Sequence, residues 1–243
     1  MAGIVQSELL KMKYTFCGKL IFLAPFFTLL LGYFLGGSSI QYAAYNWWQV
    51  ILFPMAISLW CADMMKKEKN TGFYNILCLP VSFRKIWIGK NLAVILFLFV
   101  TDFLMWMGCT VFGYFTVMNI TPLHGMVGCI FLFLASIWQV PFIMTLSAKI
   151  GYLPAILLSL AGNILLSGAA VGKKWFFLNP YAIPARIVCP FFGTYYNGLL
   201  LEKDSPFWET EWVLPALIIS LVLAGLLLAG STIWFSKRSH EYE

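Results

Sequence analysis

Residues 20–62 read LIFLAPFFTLLLGYFLGGSSIQYAAYNWWQVILFPMAISLWCA, 43 residues without an Asp, Glu, Lys or Arg. A bilayer core about 30 Å thick takes roughly 20 helical residues. The stretch is therefore too long for one crossing and fits two. The turn formers GGSSIQ at 36–41 mark the reversal between them. The apolar run is continuous, whereas the strands of a membrane barrel alternate over about ten residues, so helices are predicted.

The same pattern extends along the chain. Residues 91–148 are broken only by Asp102 and hold two more spans around NITPLHG at 119–125. Residues 150–172 and 212–236 give one span each. The expectation is an all-α integral membrane protein with six transmembrane helices, near 20–36, 47–62, 91–118, 126–147, 152–170 and 213–235. They form one membrane domain, 20–236, between an amphipathic segment at 1–19 and a tail at 237–243. The apolar run 187–201 is too short to cross and is cut by Pro190 and Gly193. It reads as a re-entrant segment ahead of the sixth helix, which requires protein or water around its backbone.

Composition agrees. Of 243 residues, 61% are hydrophobic and 11% charged, against about 25% charged in a soluble domain. Mean hydropathy is +0.83. These values exclude a soluble globular domain and a disordered chain.

The charges are few but clustered. Lys11, Lys13, Lys19, Lys66, Lys67, Lys69, Arg84, Lys85, Lys90, Lys149, Lys237 and Arg238 fall on one side of the six-span topology, and Lys173, Lys174, Arg186 and Lys203 on the other. Basic residues flanking spans favour the cytoplasm, so both termini are expected there. The net charge of +6 then reflects topology and headgroup contact, not nucleic-acid binding. Ahead of the first span, Val5, Leu9, Met12, Phe16 and Leu20 recur at helical steps, with Glu8, Lys11 and Lys13 elsewhere on the wheel. This predicts an interfacial elbow helix, too charged and without the cleavage pattern of a signal peptide. Of the six cysteines only Cys189 falls in an outer loop, so no outer pair is available for a disulfide and packing is the default.

No catalytic constellation is visible. The two histidines, His124 and His240, have no metal-ligand neighbour at helical spacing, and no metal site is expected. Gly168–Lys173 is one residue short of a phosphate loop and lacks the following Ser or Thr. Gly168-x-x-x-Gly172 and Gly32-x-x-x-Gly36 read better as close helix-packing sites. No residues for ATP hydrolysis are present.

Asp102 is the one acid within a span, 12 residues or about 18 Å beyond Lys90. A charge at that depth costs several kcal/mol unless it is paired or neutralised, by about 2.5–3.5 kcal/mol even on the mildest scale. Two readings stand: a polar contact in a substrate path or subunit interface, or a neutralised core residue near Asn163. Residues 63–90 carry six basic residues and two acids, Asp63 and Glu68. Within them Phe73, Ile76 and Leu77 lie at i, i+3, i+4, Pro80 ends that turn, and Ser82 is placed to cap a second short helix through Ile86 and Trp87 to Lys90. An amphipathic helix held off the ends of two spans must bury its apolar face against either the bundle or a partner.

LCLPVSFRKIWIGK at 77–90 resembles the cytoplasmic loop of ABC-2-type exporter permeases, with its LP-V-S-x-x-K-I-W-x-x-K pattern. YNWW at 45–48, WQVP at 138–141, PYAIPAR at 180–186 and CP at 189–190 are similar to lantibiotic-immunity permeases of the MutE/EpiE type. The resemblance implies one of two different permease subunits on a pair of cytoplasmic ATPase subunits, which bind ATP and Mg. The complex would remove a lantibiotic from the membrane of a Gram-positive bacterium. Thr71, Gly72, Phe73, Tyr74, Ile76, Leu77 and Pro80 would belong to the ATPase-coupling helix. The segment before the last helix would contribute to an outer vestibule, with Tyr181, Arg186, Glu202, Asp204, Glu209 and Glu211 as candidate lining. The four acids there would attract a cationic peptide. Two other classes remain open: an ion-coupled carrier acting as a homodimer, and a non-transporting membrane partner of a sensor.

Overall fold

The computed structural model describes residues 1–13, 15–37, 39–72 and 81–237. They are mostly helical, with no strand beyond the single antiparallel bridge Thr194–Leu200 among the described residues. Helix α1 is Ala2–Lys13, α2 Phe16–Gly36, α3 Ile40–Asn70, α4 Phe83–Phe115, α5 Pro122–Ser136, α6 Gln139–Ile150, α7 Tyr152–Ala170, α8 Ala182–Ile187, α9 Cys189–Phe192 and α10 Val213–Lys237. Five of these are long and apolar enough to cross a membrane, or six if α5 and α6, bent by 41° at their junction, make one span. The all-α membrane fold is as expected.

The helix boundaries differ from those read in the sequence, for local reasons. The Thr15 side chain accepts from the Gly18 amide at 3.3 Å, so α2 starts at Phe16 with Lys19 inside it. α3 begins at Ile40, because Gln41 is a clamp as well as a turn residue. Its Nε2 donates to the Cys109 carbonyl at 3.0 Å, and its Oε1 accepts the Asn119 and Ile120 amides at 2.7 and 2.8 Å. The expected short helix from Ser82 to Lys90 is the first part of α4. Ser82 occupies the N-cap position without a side-chain capping bond. The α5–α6 bend falls before Pro141, whose ring excludes a straight helix through the Ile137 carbonyl and which has no amide hydrogen to bond it. The π-helical turn Trp48–Leu52 in α3 similarly lies just before Pro54.

α3 is the axis of the bundle. Two-thirds of its apolar window is buried, 67%, against 28% for α2 and α10. Trp48, Trp60, Phe53 and Ile57 on α3 are all within 1% of full burial. Trp60 Nε1 donates to the Cys17 carbonyl at 2.6 Å and ties α2 to this axis. Outward-facing positions are apolar instead, among them Phe22, Phe26 and Phe34 on α2 and Leu214, Ile218 and Leu226 on α10. Such a surface is stable in lipid or against a second membrane subunit, not in water.

The expected re-entrant segment is helical earlier than its apolar run suggests, in α8 and α9. Ile183, Ile187 and Phe192 are buried there, and Phe192 stacks on Tyr45 of α3 at 4.3 Å. Gly193, at φ 66°, turns the chain back in a conformation that favours glycine. The five described cysteines are buried and free.

α1 overturns one expectation. Glu8 is not off the apolar stripe. It lies with Val5, Leu9 and Met12 on the face that packs against the bundle, and is 4% exposed. A Cβ on Gly89 of α4 would stand 2.6 Å from Ile4 Cγ2, so α1 sits directly on α4.

The two glycine pairs also separate. A Cβ on Gly32 would stand 2.7 Å from Ala44 Cβ, and one on Gly36 3.0 Å from Ala43 Cβ, so the α2–α3 contact needs both. Gly168 meets only Tyr196 at 3.8 Å, and Gly172 meets nothing within 4 Å, so that pair packs no helix within this chain. Gly32→Leu should therefore lower stability by about 1–3 kcal/mol. Gly168→Ala should stay within about 0.5 kcal/mol. Thermal unfolding of the detergent-solubilised chain distinguishes the two.

Candidate functional site

The two longest described helices, α3 and α4, run toward the connection at 71–82. Their 31 and 33 residues measure about 46 and 50 Å. Both exceed a bilayer core of about 30 Å. Both helices are therefore long enough to extend beyond the membrane core.

At this end α3 finishes in a defined way. Thr71 Oγ1 donates to the Glu68 carbonyl at 3.0 Å, and the Gly72 amide to the Lys69 carbonyl at 3.1 Å. Gly72 takes φ 58°, which stops the helix with a left-handed residue. Of the expected coupling residues, Thr71 and Gly72 are thus the cap of α3. Phe73, Tyr74, Ile76, Leu77 and Pro80 lie outside the described residues.

Below that cap is a buried ionic cluster. Lys90 of α4 has no exposed surface. Its Nζ donates to Glu8 Oε2 at 2.7 Å and to Glu68 Oε1 at 2.5 Å. Lys11 Nζ donates to Glu8 Oε1 at 2.7 Å and stands 3.5 Å from Glu68 Oε1. Two carboxylates and two ammonium groups balance, and they join α1, α3 and α4. Burial by itself would raise the Glu8 pKa. The charge of Lys90 and hydrogen bonds from Lys11 and Lys90 outweigh it and hold Glu8 below its ordinary 4.5. Trp87, one turn before Lys90, adds α10: its Nε1 donates to Ser231 Oγ at 2.9 Å and its ring stacks on Phe235 at 4.5 Å.

Sequence reading counted Lys90 among headgroup-facing charges and missed the cluster. The available signal was Glu8 itself, at i+3 from Val5 and i−4 from Met12. A carboxylate on an apolar stripe needs a buried cation.

Asp102 and Asn163 have separate partners. Asp102 is 3% exposed and accepts from Trp48 Nε1 at 2.8 Å, across to the π turn of α3. It also lines a cavity of about 370 Å³ between α4 and α5, walled by Phe99, Phe103, Trp106, Ile130 and Phe133. Asn163 instead forms a reciprocal amide pair with Gln139 of α6, at 3.1 and 3.0 Å. The expected proximity of Asp102 to Asn163 is therefore replaced by two separate polar links through the bundle. Gln139, quoted only within a motif, is the partner that spacing could not identify.

At the opposite end, Tyr181 packs inward on Trp138 at 4.8 Å and against Gly162. Arg186 and Glu209 line a cavity of about 560 Å³ that Glu202, Asp204, Glu211 and Tyr181 do not line. Among the described residues no group of three or more His, Cys, Asp or Glu side chains could hold a metal.

The described residues form a bundle of membrane-crossing helices whose two longest members are joined by the buried ionic cluster. Residues 4–165 match the model of the ABC-2 family transporter proteins, and the chain belongs to that family. No curated protein and no solved structure matches the chain. As a family member it is a non-catalytic, multi-pass permease subunit of an ABC transporter. ATP hydrolysis takes place in a separate cytoplasmic ATPase subunit. The ion-coupled carrier and the sensor partner give way to this assignment.

Lys90→Met would leave Glu8 and Glu68 buried against one half-exposed lysine. It should cost about 3–5 kcal/mol, and combining it with Glu8→Gln and Glu68→Gln should recover most of the loss. The depressed Glu8 pKa adds stability at neutral pH that is lost as pH falls below 4.5 through the folded-state value. Thermal unfolding between neutral and acidic pH should show that loss in the native chain and not in the triple variant.

Proposed function

We propose that the basic end of the bundle faces the cytoplasm, and that the segment after the α3 cap, up to Cys78, carries the coupling helix, seated on one of two ATPase copies. ATP and Mg are bound by that partner and not by this chain. The observation that supports this reading is the clamp of Lys90 on Glu8 and Glu68. Force applied to the connection between α3 and α4 would reach this clamp first. It passes into α1, through Trp87 into α10, and along the two longest helices of the bundle. The chain would work beside a second, different permease subunit, for which its exposed apolar surface is suited.

The cargo we propose is a lantibiotic or similar amphipathic antimicrobial peptide, expelled from the membrane of a Gram-positive host for self-protection or resistance. Support comes from the resemblance in YNWW, WQVP and PYAIPAR and from the exposed aromatic surface. The Asp102 cavity between α4 and α5, apolar with one acid in its wall, is a candidate part of the cargo path.

Phe73→Asp, Ile76→Asp or Leu77→Asp should each remove protection while membrane levels of the chain and partner hydrolysis persist. The measurement is the inhibitory concentration of a lantibiotic together with the peptide retained by cells. Full protection at normal expression would overturn the coupling role. Sensitivity unchanged on deleting the whole subunit would overturn the lantibiotic reading and leave the family assignment intact.

A further inference from the structure

The cavity of about 560 Å³ at the end opposite the termini has the wrong charge to receive a cationic peptide. Its charged lining is Lys173, Lys174 and Arg186 against Glu209 alone, a net of +2. Glu202, Asp204 and Glu211, the other acids of this loop, lie outside it. Among the described residues neither lysine has an ion-pair partner.

Arg186 is built into the wall. Its guanidinium stands 3.4 Å from the Phe207 ring centroid and 5.8 Å from that of Phe176. Nη2 donates to the Pro206 carbonyl at 3.0 Å. Nη1 is buried with no hydrogen-bond partner. The rings fix the plane of the guanidinium, one bond fixes its rotation, and one donor group is left unsatisfied. A buried unsatisfied donor costs about 1–3 kcal/mol. A planar guanidinium suits the bidentate geometry of a phosphate oxygen pair.

Depth points the same way. Lys173 and Lys174 follow the last residue of α7 by three and four positions, and Trp212 immediately precedes α10. Lysine and tryptophan at span ends lie at headgroup level. The volume falls within the range of about 300–1,000 Å³ of small-ligand sites.

We propose that this cavity binds an anionic phosphate group, held by Arg186 and neutralised by Lys173 and Lys174. Two sources share this chemistry: the headgroup of an anionic phospholipid at the membrane surface, and free phosphate. The site is independent of the coupling loop and of the cargo.

The test is native mass spectrometry of the full-length chain in micelles containing phosphatidylglycerol and phosphatidylcholine in equal amounts. Phosphatidylglycerol should be retained in preference. Arg186→Gln should weaken its retention about tenfold. Lys173→Gln with Lys174→Gln should weaken it about fivefold or more. Lys203→Gln, outside the cavity, should leave it unchanged. Phosphate binding to the chain in lipid-free detergent separates the sources: preferential retention of phosphatidylglycerol assigns the site to the headgroup, and phosphate binding without that preference assigns it to the free ion. Equal retention of both lipids together with no phosphate binding, or binding unchanged in the Arg186 and double-lysine variants, would overturn the proposal. Should Arg186→Gln fail to fold, the double-lysine variant decides alone, because both side chains are exposed.

Discussion

Lys90 has no contact with solvent, and the basic end of the molecule is arranged around that fact. An ammonium group in so dry a place is tolerated only when carboxylates surround it, since its bare desolvation exceeds the net stability of an ordinary domain. Glu8 and Glu68 must therefore be delivered from two other helices. That requirement brings α1 onto α4, sets the level at which α3 ends, and leaves Lys11 as the second cation of a neutral quartet. Gly89 then has to be glycine, because α1 crosses where its side chain would be.

Elsewhere the bundle reverses the rule of soluble proteins. Its outer surface is apolar and its polar side chains are inside, paired across helices: Trp48 with Asp102, Gln139 with Asn163, Ser58 with Ser159, Trp87 with Ser231. In lipid such bonds join helices that burial alone does not hold together, because lipid tails are as apolar as leucine. The prolines act in the same direction. Pro54 and Pro141 interrupt regular hydrogen bonding, and the π turn and the 41° bend beside them place Trp48 and Gln139 toward their partners.

A permease subunit that hydrolyses nothing must transmit motion made elsewhere. Stiffness in the helices that carry that motion is the corresponding demand. The quartet and the Trp87–Ser231–Phe235 contacts concentrate stiffness at the basic end. The far end is built from the short helices α8 and α9 and from the loop that lines the cavity of about 560 Å³. The two ends also differ in how they treat charge. At the basic end one cation, Lys90, is buried and neutralised, while Lys173, Lys174 and Arg186 line a cavity.

Much of this was legible in the sequence, because a bilayer imposes a one-dimensional constraint. A run without charge has to cross, about 20 residues complete a crossing, and turn residues mark the reversals. Number, type and order of the helices followed from that rule. So did the break between the second and third spans, since residues 63–90 carry six basic side chains in 28 positions. What linear spacing could not reach were pairings between helices. Lys90 lies 82 residues from Glu8 and 22 from Glu68, and Asn163 lies 24 from Gln139. Periodicity shows which face of a helix is apolar, but not which neighbour covers it. Only the tertiary structure turned a headgroup lysine into the buried centre of a clamp, and a loop rich in acids into the rim of a cationic cavity.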